Sequence, residues 1–495
     1  MEIKEHIKEL YLSDSIPWIV GYSGGKDSTA VLQLIWETLS ELDRKQLHKQ
    51  VHVLTNDTLV ENPIVSLWVH ESLKNIDIEA KRQNLPFITH MTIPEVVDSF
   101  WVNLIGRGYP APRPRFRWCT QRLKINPANK YVLDMVNKNG EAIMVLGTRK
   151  SESSARKKVI EKHEGSTRKH LSRNHDPKFD RVWIYAPIKN WSNDDVWEYL
   201  ASNSNPWNYD NGQLINMYRG ATKDNECPLV VDSSTPSCGD SRFGCYVCTL
   251  VDKDKSMSAM IKNDDEKKWM SPLADFRNQY LDTKTDHPKR EFRRSNGSLT
   301  IMQDKDKGGY KLVPGAYKQS YRHILLTELL KAQEKVKSSG VEGTDNFEII
   351  RMDELEEIRK IWVIDKNEIE DTLPDIYKRA TGRDFPSASP YNGKISKEDI
   401  LLLKNSIDGE YDNIHYQLVR NLISTEFKHS TSIKRTGISN EIEKLITKGC
   451  FEEYEDALAY ALKKNEGGMT EEVKSNVIPI KFVENNDLTN DDSNI

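Results

Sequence analysis

The residues best suited to chemistry stand together in Ser23-Gly24-Gly25-Lys26-Asp27-Ser28. An apolar run of strand length, Trp18-Ile19-Val20-Gly21-Tyr22, leads into them, and a helix pattern, Thr29-Ala30-Val31-Leu32-Gln33-Leu34-Ile35-Trp36, follows at once. Gly24 and Gly25 let the backbone approach an anion closely. The free N–H groups and dipole of a helix start favour negative charge, and Lys26 adds a mobile cation. The stretch is therefore a phosphate cradle. It is not a Walker A loop, because Asp27 rather than Ser or Thr follows the lysine, and it lacks the G-x-G-x-x-G spacing of a dinucleotide fold.

The loop resembles the Ser-Gly-Gly-x-Asp-Ser loop of the ATP pyrophosphatase (PP-loop) superfamily, whose members split ATP between its α- and β-phosphates. The elements around it fit a sheet that could carry it. Val51-His52-Val53-Leu54 reads as a strand ending at Thr55-Asn56-Asp57-Thr58, a helix runs from Pro63 to about Gln83, and strands follow at Phe87–Met91 and Ala142–Gly147. This alternation predicts an α/β fold, a parallel sheet with helices on both faces. The resemblance implies its adenine nucleotide α-hydrolase-like form. Ligands of such sheets sit outside the carboxyl ends of the strands, which would put Asn56 and Asp57 beside the loop; capping a turn is the competing role for Asp57.

Between Trp101 and Leu133 there is no acidic residue, while Arg107, Arg113, Arg115, Arg117, Arg122, Lys124 and Lys130 are present. Tyr109, Phe116 and Trp118 are interleaved, and Pro110, Pro112 and Pro114 keep the backbone extended. Arginine forks suit phosphates and aromatic faces suit bases, so the segment is expected to contact nucleotide or nucleic acid. The second basic stretch, residues 284–311, would extend such a surface. Within the first, Arg117-Trp118-Cys119 resembles the Arg-Trp-Cys element of phosphoadenylylsulfate reductases. Thr148-Arg149-Lys150-Ser151-Glu152-Ser153-Ser154-Ala155-Arg156 resembles another element of those reductases. The likeness implies that Arg149 and Arg156 bind phosphate or sulfate and that Glu152 fixes them. In Asn190-Trp191-Ser192-Asn193-Asp194-Asp195-Val196-Trp197, Ser192 is a good helix cap and both tryptophans read as core.

Six cysteines in a chain of this size are not a disulfide framework. Cys119 and Cys450 stand alone, whereas Cys227, Cys238, Cys245 and Cys248 cluster. Cys238, Cys245 and Cys248 can give three thiolates to one metal centre, with Cys119 or Cys227 as the fourth ligand. Spacing does not separate zinc from an iron–sulfur cluster. The reductase-like position of Cys119 favours it as the fourth ligand, and the resemblance favours a [4Fe-4S] cluster.

Taken together, the loop, Asn56-Asp57-Thr58, Arg117-Trp118-Cys119, the Cys238–Cys248 segment and Asp252-Lys253-Asp254-Lys255-Ser256 resemble the DndC family of DNA phosphorothioation proteins over residues 1 to about 385. That likeness implies a cytoplasmic sulfurtransferase component of DNA sulfur modification. It would use ATP and Mg²⁺ to activate a backbone phosphate, with Lys26, Asp27, Ser28 and Arg149 catalytic. Its partners would be DNA, other Dnd proteins and a cysteine desulfurase as sulfur source. A reductase-like enzyme acting on a small nucleotide and a nucleotide-sensing scaffold subunit are the alternatives.

Composition agrees with a protein of real cores: 29% of residues are charged, 37% hydrophobic, and the net charge is −4. No apolar run reaches membrane-spanning length, and Met1-Glu2-Ile3-Lys4-Glu5-His6 has no signal-peptide pattern, so no membrane partner is expected. The expected division is a nucleotide-binding part at 1–215 and a cysteine-rich segment at 216–300. Helical parts would follow at 301–385 and 386–482, then an acidic disordered tail at 483–495.

Overall fold

The computed structural model describes residues 2–467 apart from 115, 164–167, 175, 222–242, 295, 305–307, 387–395, 408–409, 431–436 and 450. The acidic tail, Cys227, Cys238 and Cys450 lie outside the described residues. Packing divides the chain into two compact units. One comprises the residues up to Glu95 with Trp118–Ala274; the other comprises Val96–Arg117 with the residues from Asp275 onward. Residues 96–117 leave the nucleotide-binding part because their apolar run packs with the helical unit: Trp101 donates its indole N–H to the Ile349 carbonyl (2.7 Å), and Trp362 donates to that of Ile105 (3.1 Å).

The first unit is a six-stranded sheet of β1 (Trp18–Gly21), β2 (Val51–Asn56), β3 (Phe87–Thr92), β4 (Ala142–Val145), β5 (Ser172–Arg173) and β6 (Val182–Tyr185), in the order β3-β2-β1-β4-β6-β5. All neighbours are parallel except β5 with β6. Its helices include α1 (Glu2–Leu12), α2 (Lys26–Ser40), α3 (Pro63–Gln83), α4 (Asn126–Asn139), α5 (Ser154–His163), α6 (Asn193–Ser202), α7 (Asn211–Gly220) and α8 (Lys255–Asn263). The strand order reverses between β1 and β4, the place where open parallel sheets bind ligands.

Strands buried on both faces read as continuous apolar runs, and Trp18-Ile19-Val20 is fully buried. On one face α1, α2, α3, α6 and α7 share a core in which Trp36 stacks on Phe87 at 4.5 Å and 9°. On the other, Val132, Met135 and Val136 of α4 meet Ile19 and Leu54. Ser192 caps α6 reciprocally: its Oγ accepts from Asp195 N–H (3.1 Å) and its own N–H donates to the Asp195 carboxylate (2.7 Å).

The second unit is mostly helical, with helices at Gln319–Lys337, Met352–Lys360, Leu373–Thr381, Lys397–Ser406, Ile414–His429, Ile438–Lys448 and Tyr454–Gly467 beside a short antiparallel ribbon, Ile301–Gln303 with Tyr310–Leu312. Among the described residues no helix is long and apolar enough to cross a membrane.

Candidate functional site

The phosphate loop leaves β1 at the switch point and enters α2 at Lys26. Gly24 sits at φ +68°, and a Cβ there would stand 2.6 Å from Val69 Cγ2, so both backbone and space require glycine. Gly25, the cap of α2, has no side chain to bond the helix N–H groups itself. The bend is held from within: Ser28 Oγ donates to the Gly25 carbonyl (3.0 Å) and accepts from the Ser23 N–H (3.2 Å). From outside, Trp68 donates its indole N–H to the Gly24 carbonyl (3.1 Å). Ser23, Gly24, Gly25 and Ser28 are thus fixed as a frame, with Lys26 and Asp27 at the helix start half-buried.

The chain beyond β4 closes on this frame. A Cβ on Gly147 would lie 2.9 Å from the Asp27 carbonyl carbon and 3.1 Å from Ser28 N, so only glycine allows this approach. Two residues on, the buried Arg149 donates from Nε to Asp27 Oδ1 (2.7 Å) and from Nη1 to Ser151 Oγ (2.8 Å). Its fork also reaches the Trp191 carbonyl and Asn193 Oδ1, both at 3.5 Å. Lys26 Nζ stands 3.0 Å from the other oxygen of Asp27. One carboxylate therefore holds two cations, and the group carries an excess positive charge at a helix N-terminus, the arrangement that takes a polyphosphate. Asp27 offers the hard oxygen donors that Mg²⁺ takes alongside water and phosphate oxygens, with both oxygens already against cations.

The other expected ligand residues are placed differently. Asn56 donates to the Leu123 carbonyl (2.8 Å) and accepts from Thr92 (2.8 Å). Asp57 accepts from the Leu59 N–H within its own turn (2.8 Å) and meets His70 Nε2 at 3.2 Å. Glu152 lies in a single turn after Arg149, its N–H donating to the Arg149 carbonyl at 3.3 Å. Arg156 is in α5, and its side chain is outside the described residues.

Two cysteines come from the turn at 245–248, closed by Cys248 N–H on the Cys245 carbonyl (3.0 Å). The turn docks on the segment after β2: Glu61 bridges Cys245, and the Tyr246 N–H donates to the Val60 carbonyl at 3.0 Å. Cys119 enters from the start of the helical segment that precedes α4 and lies within electrostatic reach of Cys245 and Cys248. Burial pushes the Cys245 thiol up to about 12, with Glu61 acting the same way and Lys124 against it. Burial also raises Cys119. Lys124 lies 3.3 Å from Glu61 Oε1, and Thr58 Oγ1 3.5 Å from Cys245 Sγ. The all-sulfur donor set fits a thiolate-ligated centre. Among the described residues no three His, Cys, Asp or Glu side chains are grouped closely enough to hold an ion. Cys238 and Cys227 fall in the span outside the description.

Sequence reasoning missed the link between these two places. The Tyr218 hydroxyl lies 3.4 Å from Lys26 N, and the Lys26 ammonium stands 5.8 Å from its ring centroid. The edge of that ring meets Phe243 at 4.6 Å, two residues before Cys245. Nothing in the spacing of Tyr218 pointed to this. Asn193, next to the Ser192 cap, and the carbonyl of Trp191 also reach Arg149.

Of the basic segment, Arg113 is drawn into an ion pair with the buried Asp286, joined by Arg290, which also donates to the Gly315 (2.8 Å) and Pro314 (2.7 Å) carbonyls. These two arginines brace the second unit. Arg117 remains exposed.

A protein of Methanocaldococcus jannaschii described as uncharacterized is 30% identical over 203 residues, 41% of this chain. The match spans 35% of that protein's length. Three solved structures are similar at low superposition scores. Phosphoadenylyl-sulfate reductase of Candida auris, a phosphate complex, is 13% identical, covering 40% of this chain and 79% of that one, with a TM-score of 0.26. FMN adenylyltransferase of Candida glabrata, with FMN and an ATP analogue, is 14% identical, covering 41% and 57%, with a TM-score of 0.25. The U34-tRNA thiolase NcsA of Methanococcus maripaludis, with its [4Fe-4S] cluster, is 14% identical, covering 59% and 81%, with a TM-score of 0.28. At the level of family, residues 17–251, from the first strand through the cysteine turn, match the phosphoadenosine phosphosulfate reductase domain.

Proposed function

We propose that this chain uses ATP to activate an acceptor oxygen, releasing pyrophosphate, so that sulfur replaces that oxygen, and that the acceptor is a non-bridging oxygen of the DNA backbone. The observation that carries the reading is the joining of a phosphate loop to a cysteine turn within one compact unit, through Tyr218 and Phe243. In this reading the N–H groups at the start of α2 hold the two outer phosphates of ATP, and Lys26 carries their charge. The acceptor oxygen attacks the α-phosphorus, the α–β bridge breaks, and pyrophosphate leaves. Arg149, held by Asp27, Ser151 and Asn193, would offset charge that builds at the α-phosphate. A hydrosulfide equivalent then attacks the adenylylated DNA phosphorus, and AMP leaves with the displaced oxygen.

Asp27 would hold Mg²⁺, which offsets charge on the leaving pyrophosphate. Cys119, Cys238, Cys245 and Cys248 would hold a [4Fe-4S] cluster, which supplies a sulfide or electron site. The sulfur would come from a cysteine desulfurase, with DNA and other Dnd proteins as partners of a DndC-type subunit. The second reading, a reductase acting on a small nucleotide, is favoured by the family match at residues 17–251.

The test is product analysis on the full chain purified without oxygen. AMP and pyrophosphate from ATP are expected, and ADP with orthophosphate overturns the assignment. Reduction of phosphoadenylylsulfate without ATP turnover selects the second reading. Iron with acid-labile sulfide, lost in Cys119→Ser, is expected from the same preparation; zinc without iron removes the cluster.

A further inference from the structure

Away from the phosphate loop, on the α4 face of the sheet, His52 Nδ1 has two other ligand-type atoms beside it, and the rings that carry them lie 4.8 Å apart. His52 Nδ1 lies 3.0 Å from His90 Nε2 and 3.0 Å from the Tyr131 hydroxyl. The register explains the meeting. His52 pairs with Ile88 and Leu54 with His90, so the two histidines are diagonal neighbours on one face, and Leu54 belongs to the core beneath α4. Tyr131, from the first half of α4, reaches down to them. His52 is 6% exposed and stands four residues before the end of β2, about 13 Å along the strand from the edge that carries the loop.

Hydrogen bonding alone serves this arrangement poorly. His52 Nδ1 has either one hydrogen to give or one lone pair to offer, so it makes one linear bond, yet it has two partners at equal distance. A cation accepting a lone pair from each atom satisfies all three at once. We propose that His52, His90 and Tyr131 bind a divalent transition ion, zinc foremost, that ties β2, β3 and α4 together.

Two imidazoles and a phenol oxygen form a borderline donor set, which selects zinc and its neighbours over Mg²⁺ or Ca²⁺. Burial lowers both imidazole pKa values, that of His52 to about 4, which keeps their lone pairs free at neutral pH. Burial holds the Tyr131 pKa up at about 12, so the ion must displace that proton to solvent before the oxygen coordinates as phenolate. Lys138 is the cation that acts on His52, and it opposes the ion.

The experiment is zinc titration of the full chain, with bound metal counted and the melting temperature followed. The wild-type protein is expected to take one more equivalent of Zn²⁺ than Tyr131→Phe or His90→Gln, because the cysteines contribute equally to all three. Its melting temperature should rise with zinc where those of the variants do not. Lys138→Gln should bind several-fold more tightly. Equal zinc content and equal melting shifts in the wild type and both variants overturn the proposal. Should the variants fail to fold, Co²⁺ added to the wild type decides. A second cobalt spectrum free of thiolate charge transfer supports the site, and its absence rejects it.

Discussion

At the phosphate loop Lys26 and Arg149 lean on a single carboxylate, Asp27, whereas in the helical unit Arg322, Arg359 and Arg420 each have one of their own, Glu368, Asp371 and Glu370. Two of the matched pairs are deeply buried on both sides, Arg322 with Glu368 at 3% and 5% exposed and Arg420 with Glu370 at 4% each. Taking such charges out of water is costly, and one-to-one pairing with added hydrogen bonds is what makes it tolerable. The loop leaves its extra cation at the start of α2 instead, where the Lys26 N–H has only a long contact to the Tyr218 hydroxyl. A surplus of charge on a rigid frame marks a ligand's place, and a balanced pair marks architecture.

The largest expected effect follows from removing the surplus. Lys26→Ala and Arg149→Ala should each lower the rate of pyrophosphate release by roughly 10²–10³-fold, the range seen when one fixed donor to a developing charge is lost. Melting of the first unit should move little for Lys26→Ala. Loss of folding rather than rate in that variant would erase the distinction between the two regions.

The converse operation belongs in the second unit. Glu368→Ala strands the Arg322 guanidinium, which is 3% exposed, and should cost about 3–5 kcal/mol in denaturant unfolding. Pyrophosphate release per folded molecule should stay within about twofold, since no rate loss of the size assigned to a fixed donor is due. A rate loss as large as that of Lys26→Ala would show that balanced pairs also serve the chemistry.

A titration sharpens the same contrast. His323 is held neutral by burial and by Arg322, its pKa pushed down to about 3, with Nε2 3.1 Å from Thr372 Oγ1. The unfolded chain binds that proton near pH 6.5 and the folded one does not, so stability falls as pH drops from about 6.5 toward 3. One proton gives a slope of up to about 1.4 kcal/mol per pH unit. Urea unfolding of His323→Gln across that range should be flatter than that of the wild type.

The sequence made one side of this comparison readable and hid the other. Ser23 to Ser28 announces itself because glycine, lysine and a helix start act locally, and α3 begins at Pro63 with Asn62 accepting from the Ile64 N–H (3.0 Å), a signal contained in three residues. Pairings across long separations leave no such trace. Arg113 looked like part of a nucleic-acid surface because its acidic partner, Asp286, lies 173 residues away. Cys119 stood alone in the chain, and only the docking of the 245–248 turn on Glu61 brings it near other thiols. Asp57 was open between ligand and cap; one of its oxygens accepts from the Leu59 N–H as a cap does, and the other meets His70.

Close approach gives a smaller effect than charge. Gly147→Ala would push a methyl group against the backbone of Asp27 and Ser28, with about 1–3 kcal/mol lost to the misfit. Because Arg149 follows by two residues, the clash should also raise KM for ATP while leaving Glu368 and its neighbours untouched.

The smallest effect tests whether the loop and the cysteine turn act as one site. Tyr218→Phe keeps the ring against Phe243 and under Lys26 but removes the hydroxyl that stands 3.4 Å from Lys26 N. That long contact is weak, so its loss should cost no more than about 1 kcal/mol of stability. With ATP bound, the N–H turns to phosphate, and the hydroxyl loses its partner in the wild type as well. The variant should therefore bind nucleotide slightly more tightly, with an unchanged rate of pyrophosphate release. Tyr218→Ala removes the ring too, breaking the path to Phe243. A difference between the two variants in thiol reactivity at Cys245, read with and without ATP, isolates the ring from the hydroxyl. If both variants leave that reactivity equally responsive to ATP, the aromatic pair is packing and the two places work separately.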